Sequence, residues 1–550
     1  MRVLGPQGKQ IVAIGAKKQQ EMKGKAKILV IGQHPVRRHI ISQYERKGAE
    51  IVLAGAIGDD VEAIEAFDEI AALTSPSADD PIGEDGRMIE WLRQIAPRLT
   101  SHPIVHVLLQ SPTTLRILQQ MDLPDGINNA MEAYPFTMED TWAKELLVHL
   151  PGIKPERLYP PLERNAVIDS ASQSTVHLVI AGFDSYAQAV ATHAALVAHF
   201  PNYNGKDEQP LRTRITIIDN GIRERRDNFI AAYRTLFDNS FYRTIDIGER
   251  TCSLHKPMYA GQREDFVDVE WEFVEGSINH PYMADKIGRW AADENKLLTI
   301  VLSSGNDETD LSRSITLPDA VYTNKERVAV FVRQTRDIVT EPLGRSPRLG
   351  NVHVFGMIDR GYDTSIPLIS MAKYLNYFYW YYYNEKHPNL IPTVIPYDEV
   401  EREWHELKSY KMRLSNVFNV MTMTTKMHSL GHNEEDYSTF YALTRDESIL
   451  LARTEHNRWS VERLITGNRP CTDAEQKLIC KNIDDIIAAP AQKFPNLKKE
   501  YANSGIHYDL RAFDDLRVDN SNRNVQLIDI ALTECIPLIV KSYTDKNSEP

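Results

Sequence analysis

Cysteine is scarce in this chain of 550 residues, and the four cysteines are scattered as Cys252, Cys471, Cys480 and Cys535. None of them forms a CxxC pair or has the spacing of a zinc-ligand set. This usage is typical of a reducing compartment, where disulfide bonds are rare. We therefore expect a cytoplasmic protein with neither a disulfide framework nor a bound metal ion.

Long apolar runs are also lacking. Even the stretch IALTECIPLIV contains Thr533 and Glu534, whereas a membrane helix needs about 20 predominantly apolar residues. The first residues lack the apolar core and the small-residue cleavage site of a secretory signal. These features predict a soluble protein without membrane insertion, and they leave a membrane transporter open as a partner.

An excess of basic residues is the third absence. The chain has 63 Lys and Arg residues against 76 Asp and Glu residues, for a formal net charge of −13. Such a charge argues against general binding of nucleic acid or of an anionic membrane surface. Gly and Pro are too sparse for long disordered linkers, and 550 residues exceed what one hydrophobic core supports. A multidomain globular protein is expected.

Two segments have the pattern of an α/β domain, because each opens with an apolar strand, a glycine, a helix and a second strand. The first segment, residues 26–165, begins KAKILVIGQHPVRRHIISQYERKGAEIVLAG. The second, residues 172–360, begins STVHLVIAGFDSYAQAVATHAALVAHF and continues RTRITIIDNG. Further apolar runs follow in both at α/β spacing. The predicted fold class is α/β, with two tandem Rossmann-like parallel-sheet domains.

The remaining segments are predicted to be helical or flexible. A Lys/Gln-rich flexible tail, residues 1–25, precedes the first domain. Residues 365–440 read as a helical linker that opens with the aromatic-rich MAKYLNYFYWYYYNEKHPN. Aromatic residues at helical spacing usually fill a core or an interface. Residues 441–550 are predicted to form a separate, mostly α-helical domain.

The loops after the first strands are candidate nucleotide sites, since a dinucleotide fold places the pyrophosphate at a helix N-terminus and needs glycines there. The first loop, GQHPVRR, offers Gly32 and the arginine Arg37. The second, GFDSYAQ, offers Gly182 and Phe183, but puts Asp184 where a phosphate needs a bare backbone. Neither loop is complete.

Asp219 is the stronger signal for a nucleotide. It ends the strand ITIID, and an acid at the end of the second strand can hold an adenosine ribose by its hydroxyls. NAD(P) or another adenine nucleotide is therefore the expected cofactor class, unless the nucleotide-type fold is retained only as a scaffold.

The stretch LLARTEHNRWSVERLITG, residues 450–467, reads as one helix with two different faces. At about 100° per residue, its polar face carries Glu455, His456, Trp459 and Arg463. The opposite face is apolar and suits the core, so the polar stripe is expected to face outward, into solvent, a cleft or a partner. The alternative is a surface helix with ion pairs from Arg458 to Glu455 and Glu462.

This stretch resembles the signature helix of the RyR domain, named for repeats in ryanodine receptors. FPNLKKEY, and HYDL with Tyr508, resemble later elements of that domain, although the family's Gly-Trp after the helix is replaced here by Gly467 and Asn468. The second α/β domain resembles the TrkA-N family, NAD-binding regulatory domains of potassium transport systems. We therefore identify a resemblance to bacterial RyR-domain proteins that carry TrkA-N-like domains.

The resemblance implies a non-catalytic sensor or regulator that binds a small nucleotide-like ligand through the Rossmann or RyR domains. Its RyR-like ligand residues would be Glu455, His456, Trp459, Arg463 and Tyr508. The output could be potassium transport or a signalling or defence system, and a homodimer is expected. Two alternatives remain: an NAD(P)-dependent oxidoreductase, for which no catalytic Tyr-x-x-x-Lys is recognisable, and a scaffold in a larger assembly.

Overall fold

The computed structural model describes most of the chain, namely residues 2–4, 10–12, 25–59, 61, 63–77, 79–151, 159–257, 265–385, 396–433, 442–489, 491–518 and 524–547. The predicted flexible tail, residues 1–25, thus falls largely outside the described residues. Within it, strands β1 (Arg2–Leu4) and β2 (Gln10–Val12) pair in antiparallel fashion.

The first sheet is built from five parallel strands, and all of them except β4 are largely buried. These strands are β3 (Lys27–Gly32), β4 (Glu50–Ala54), β5 (Glu69–Leu73), β6 (Ile104–Leu108) and β7 (Glu132–Phe136). They lie in the order β4-β3-β5-β6-β7, the order of a doubly wound flavodoxin-like sheet. The associated helices are α1 (Arg37–Arg46), α2 (Pro81–Ile95), α3 (Pro112–Met121), α4 (Asp125–Ala130) and α5 (Met138–Leu147).

The second sheet has eight strands. They are β8 (Thr175–Ala181), β9 (Thr213–Asp219), β10 (Tyr242–Asp246), β11 (Thr251–His255), β12 (Val269–Glu275), β13 (Lys296–Leu302), β14 (Val328–Arg333) and β15 (Val352–Phe355). The order is β11-β10-β12-β9-β8-β13-β14-β15, and β11 alone among them pairs antiparallel. Without the β10-β11 hairpin, the order is the 3-2-1-4-5-6 of dinucleotide-binding folds. The predicted α/β class with parallel sheets is confirmed.

Helices cover the second sheet and join it to the first. They are α6 (Ser185–Val197), α7 (Ile222–Ala232), α8 (Arg234–Phe237), α9 (Pro281–Ala292), α10 (Asp307–Ile315), α11 (Asp319–Thr323) and α12 (Thr340–Gly344). Helix α6 packs along α5, where His193 Nε2 lies 2.8 Å from Asp140 Oδ1. Trp142 on α5 also donates its indole N–H to the carbonyl of Met357, at 3.0 Å. Each sheet therefore contributes one helix to a shared buried contact.

The rest of the described chain is mostly helical. Its helices are α13 (Pro367–Trp380), α14 (Tyr397–Glu406), α15 (Tyr410–Val420), α16 (Met423–Ser429), α17 (Arg445–Ile465), α18 (Asp473–Ala488), α19 (Leu497–Asn503), α20 (Val525–Glu534) and α21 (Ile536–Asn547). Two short strands, β16 (Arg469–Pro470) and β17 (Ile506–His507), pair in parallel. Among all described helices, none combines the length and the hydropathy of a membrane span.

The aromatic-rich segment belongs mostly to the core. Tyr377 and Phe378 on α13 are buried, as is Tyr382 in the π-helical turn Tyr381–Glu385 that follows. Tyr379 is the more exposed member of this run. Core packing thus accounts for these aromatic residues better than an open docking face does.

Candidate functional site

Gly32 is the last residue of β3 and Gly182 follows β8, and both turn the chain with positive φ angles of 94° and 104°. A side chain is excluded at both positions. A Cβ atom on Gly32 would lie 1.8 Å from the carbonyl oxygen of Leu73, and one on Gly182 would lie 2.2 Å from that of Ser303. Close approach of the neighbouring strand therefore requires both glycines, whether or not a ligand binds nearby.

Carboxylates occupy the N-terminus of α6, where a dinucleotide fold would place its pyrophosphate. Asp184 accepts hydrogen bonds from the backbone N–H of Ala187, at 2.9 Å, and from the hydroxyl of Ser303, at 2.7 Å. Glu139, from α5 of the first sheet, accepts a hydrogen bond from Ser185 at 2.9 Å. Burial raises the pKa of both carboxyl groups. The protein's own acids thus fill the position of a phosphate.

Phe183 and Asp219 lie beside this loop, but both already have protein partners. The ring of Phe183 is fully buried and packs edge-on against Phe229, with ring centroids 5.2 Å apart. Asp219 ends β9 next to the loop, since Gly182 N–H donates to the Ile218 carbonyl at 2.9 Å. Its carboxylate pairs with Arg225. A ribose at Asp219 would have to displace that guanidinium.

The polar stripe of α17 does not face outward, and the expectation that it does is wrong for its first two members. Glu455 is 4% exposed and His456 is 1% exposed. The reason is that α17 packs against four other helices, namely α6, α8, α15 and α20. Thr444 and Glu447 form a capping box at its start. The helix is a central element of the C-terminal helices.

A buried ion-pair cluster surrounds Glu455. Its carboxylate accepts from Lys426 at 2.5 Å, from Asn419 at 2.7 Å and from Arg458 at 2.8 to 3.0 Å. Arg458 also donates to Glu462 at 2.9 Å. The two intrahelical ion pairs considered from the sequence therefore form, but they lie in the interior. Glu455 has its hydrogen-bonding capacity satisfied by the protein.

The other members of the predicted RyR-like set form two separate groups. Trp459 lies between His456 and His507, with ring centroids 5.4 Å and 4.8 Å away, and Arg463 lies 5.6 Å from its ring. Tyr508 instead contacts Cys480, with its hydroxyl 3.1 Å from the sulfur. The structure brings Trp459 and Arg463 together, and it directs the Tyr508 side chain into a different hydrophobic cluster.

A wide groove lies between the two sheets, with a volume of about 1250 Å³. One wall is a face of α1, where residues recur at helical spacing: Arg38, His39, Ser42, Gln43 and Arg46, followed by Lys47. The other wall is formed by β15 and the segment 357–365. The two walls are about 300 positions apart in the sequence, so the groove exists only in the folded chain.

The α1 wall of this groove is cationic. Among the described residues, no carboxylate lies within ion-pair distance of Arg38, Arg46 or Lys47, and Lys47 donates to the hydroxyl of Thr364 at 3.2 Å. On the opposite wall, Arg360 lies 3.4 Å from Asp337 and 3.7 Å from Asp359. These two acids therefore have a cation of their own. Glu145 and Asp363 also line the groove, and Lys47 attracts the Glu69 carboxylate, so the positive charge of α1 is partly balanced without a direct ion pair.

Histidines in the groove are neutral at pH 7. Burial lowers the pKa of His39, helped by the nearby charge of Arg46. Burial lowers the pKa of His353, on β15, to about 4. Neutral imidazole rings offer flat faces and hydrogen-bonding edges without adding charge.

Tyr362 connects the groove to the interior of the first sheet. Its hydroxyl lies 2.6 Å from Nδ1 of His106, whose Nε2 lies 3.4 Å from a carboxylate oxygen of Glu69. Its ring stacks on Phe136 with centroids 3.8 Å apart. Gln43 on α1 donates to the Tyr362 carbonyl at 2.6 Å. A ligand in the groove would thus lie against a residue that is anchored in the sheet.

Sequence reasoning did not find this groove. The i, i+4, i+8 spacing of Arg38, Ser42 and Arg46 was the available signal. Without the fold, however, it is indistinguishable from an ordinary solvated helix face. No protein-family model matches the sequence, and a comparison with curated proteins finds no match. The RyR and TrkA-N resemblances therefore stay predictions.

Proposed function

We propose that this chain is a non-catalytic regulatory protein that binds a nucleotide-like ligand in the groove between two Rossmann-type units. Binding there would bias the arrangement of the units and of the RyR-like helices that follow them. The output would be potassium transport or a signalling or defence response, as the family resemblance implies.

The cationic face of α1 carries this proposal. Arg38, Arg46 and Lys47 share one wall, and no carboxylate lies within 4.0 Å of them among the described residues. Guanidinium groups bind phosphate through paired, charge-assisted hydrogen bonds. The rings of Tyr159 and His353 line the same groove and offer surfaces on which a base can stack. Ligand sites also favour interfaces between domains. A nucleotide with its phosphates on α1 and its base near β15 would contact both walls of the groove.

The edges of the sheets fit a nucleotide less well. Asp184 caps the N-terminus of α6 and Glu139 bonds to Ser185, so both acids already occupy the position at which dinucleotide folds bind a diphosphate. The oxidoreductase alternative depends on a cofactor held there. The same two acids therefore favour regulation through the groove over hydride transfer at the sheet edge.

In this proposal, Tyr362 couples ligand binding in the groove to a conformational response. It lies in the groove, bonds to His106 inside the first sheet and precedes α13 by only a few residues. Helix α13 in turn packs against α15 and α21. A ligand that displaces Tyr362 would therefore act on the sheet and on the C-terminal helices together.

Isothermal titration of the full chain with ADP-ribose, NAD⁺ and ATP tests the proposal. The variant carries Arg38→Gln and Arg46→Gln together. The matched control is Arg93→Gln, an exposed arginine on α2 outside the groove. Two partly exposed arginine–phosphate contacts of about 0.7 kcal/mol each predict roughly tenfold weaker binding. The proposal fails if none of the three compounds binds the wild type, or if the variant and the control bind equally.

A further inference from the structure

A second, smaller pocket lies beside the groove and has a different character. It has a volume of about 190 Å³ and is bounded by β7, α5, α15 and the segment 361–369. Its walls are largely apolar, with Phe136, Val148, Leu414 and Val417 among them. An apolar cavity of about 150 Å³ holds a benzene molecule in a well-studied engineered protein. This pocket can therefore enclose a six-membered ring or a short aliphatic chain.

One buried cation faces this apolar pocket. Arg413 on α15 lines the pocket and is 3% exposed. Its Nε has no hydrogen-bond partner among the described residues. Its Nη2 makes one long contact, 3.5 Å to the carbonyl of Trp404, and its guanidinium lies 5.6 Å from the Trp404 ring. Glu132 attracts this guanidinium without an ion-pair contact, and most of the hydrogen-bonding capacity of the guanidinium stays unused, so it is suited to receive an anion.

The acids near Arg413 are engaged elsewhere or lie at the mouth. Asp140 lies 2.8 Å from both Lys144 and His193. Glu132, on β7, accepts hydrogen bonds from Tyr134, at 2.5 Å, and from Trp404. Glu145 and Asp363 are exposed and line both cavities, which places them where the pocket opens into the groove. None of the described carboxylates lies within 4.0 Å of the Arg413 guanidinium.

We propose that this pocket binds a small monocarboxylate with an apolar body, its carboxylate on Arg413 and its ring or chain against Phe136, Leu414 and Val417. A guanidinium matches a carboxylate in geometry and charge. Burial of the ligand's ring or chain against the apolar walls adds favourable free energy of binding. A neutral molecule of the same shape leaves the guanidinium unpaired and binds less well. The site is separate from the groove on α1.

Titration of the full chain with sodium benzoate and sodium hexanoate tests this site, with benzamide as the neutral isostere. Arg413→Met removes the charge and keeps an apolar side chain of similar length. Arg402→Met, an exposed arginine on α14 paired with Glu403, is the matched control. We expect a carboxylate to raise the unfolding temperature of the wild type and of Arg402→Met. Binding by Arg413→Met should be at least 20-fold weaker, and benzamide should bind at least 20-fold less tightly than benzoate.

Three results would overturn the inference: no binding of either carboxylate at millimolar concentration, equal binding by Arg413→Met, or equal binding of benzamide. If Arg413→Met does not fold, Val417→Phe decides, because it fills the pocket and leaves the arginine in place. That variant should lose carboxylate binding, and retained binding would contradict the assignment. The Arg38 and Arg46 variant should bind benzoate normally, which separates this site from the proposed nucleotide groove.

Discussion

Replacing Glu455 by glutamine should destabilise α17 strongly, because the change leaves the buried Lys426 without its counter-charge and leaves Arg458 with Glu462 alone. Lys426 and Arg458 both contact this carboxylate and are themselves buried. Loss of one partner from a buried ion pair costs about 3–5 kcal/mol. The exposed acid Asp446, in the first turn of the same helix, provides a matched control. Asp446→Asn loses only a favourable helix-dipole contact, about 0.5 kcal/mol.

The pKa shift of Glu455 gives a second estimate of how much this carboxylate contributes to stability. Burial alone would raise its pKa, but the charges and hydrogen bonds of Arg458 and Lys426 lower it from 4.5 to about 2. That difference corresponds to about 3 kcal/mol of stability. Because the pKa is depressed in the folded state, this contribution is fully present above about pH 4.5. It is lost as the pH falls from about 4.5 to about 2.

Lys426 should matter less than Glu455 to this cluster. Burial lowers the pKa of Lys426 despite the attraction of Glu455, so the protein destabilises the charged form of Lys426. The protein stabilises the charged form of Glu455 instead. Arg458 therefore supplies most of the stabilisation of the carboxylate. Lys426→Met should cost less free energy than Glu455→Gln.

Hydrogen–deuterium exchange of α17 peptides in the full chain is the suitable assay, since a chain of this size does not unfold in one step. We expect Glu455→Gln to lower the opening free energy of α17 by about 3 kcal/mol at pH 7, and Asp446→Asn to lower it by less than about 1 kcal/mol. Equal protection in Glu455→Gln and wild type would refute the account of a buried, compensated cluster. So would a destabilisation by Lys426→Met larger than that by Glu455→Gln.

Two further substitutions test the packing beside the predicted sites. Trp459→Ala should lower the stability of the C-terminal helices by about 2 kcal/mol, since the half-buried ring lies between two histidines. Unchanged thermal unfolding would show that Trp459 has no structural role. Gly182→Ala should cost at least about 3 kcal/mol, because strain at positive φ is joined by a clash with the Ser303 carbonyl. Gly58→Ala is the control, because Gly58 has a φ of 99° and open space around it. If Gly182→Ala lowers the unfolding temperature no more than Gly58→Ala does, the close-approach argument is refuted.

Local patterns predicted the sheets well. Strands β3, β8 and β9 follow from their apolar runs, and the glycines after β3 and β8 follow from the tight turn at a strand end. Asp184 was recognised as an acid in a phosphate position, and the structure gives its role as a helix cap bonded to Ser303.

The environment of α17 could not be predicted from its own residues. Its spacing separates a polar face from an apolar face, and a polar face ordinarily points to water. The partners that bury this face are distant in sequence: Lys426 is 29 positions from Glu455, and Asp529 is 73 positions from His456. The groove could not be predicted for the same reason, because its walls, α1 and β15, are far apart in the sequence. The pocket at Arg413 likewise lies between α15 and the distant strand β7.

Photo-crosslinking distinguishes a nucleotide bound between α1 and β15 from one bound at a sheet edge or on α17. The full chain would be labelled with 8-azido-ATP, with and without excess ATP, and the modified peptides mapped by mass spectrometry. For a ligand in the groove, we expect ATP-protected labels within residues 38–47 or 337–365. Labels confined to the sheet edge around Gly182 and Asp219, or to α17, would contradict it.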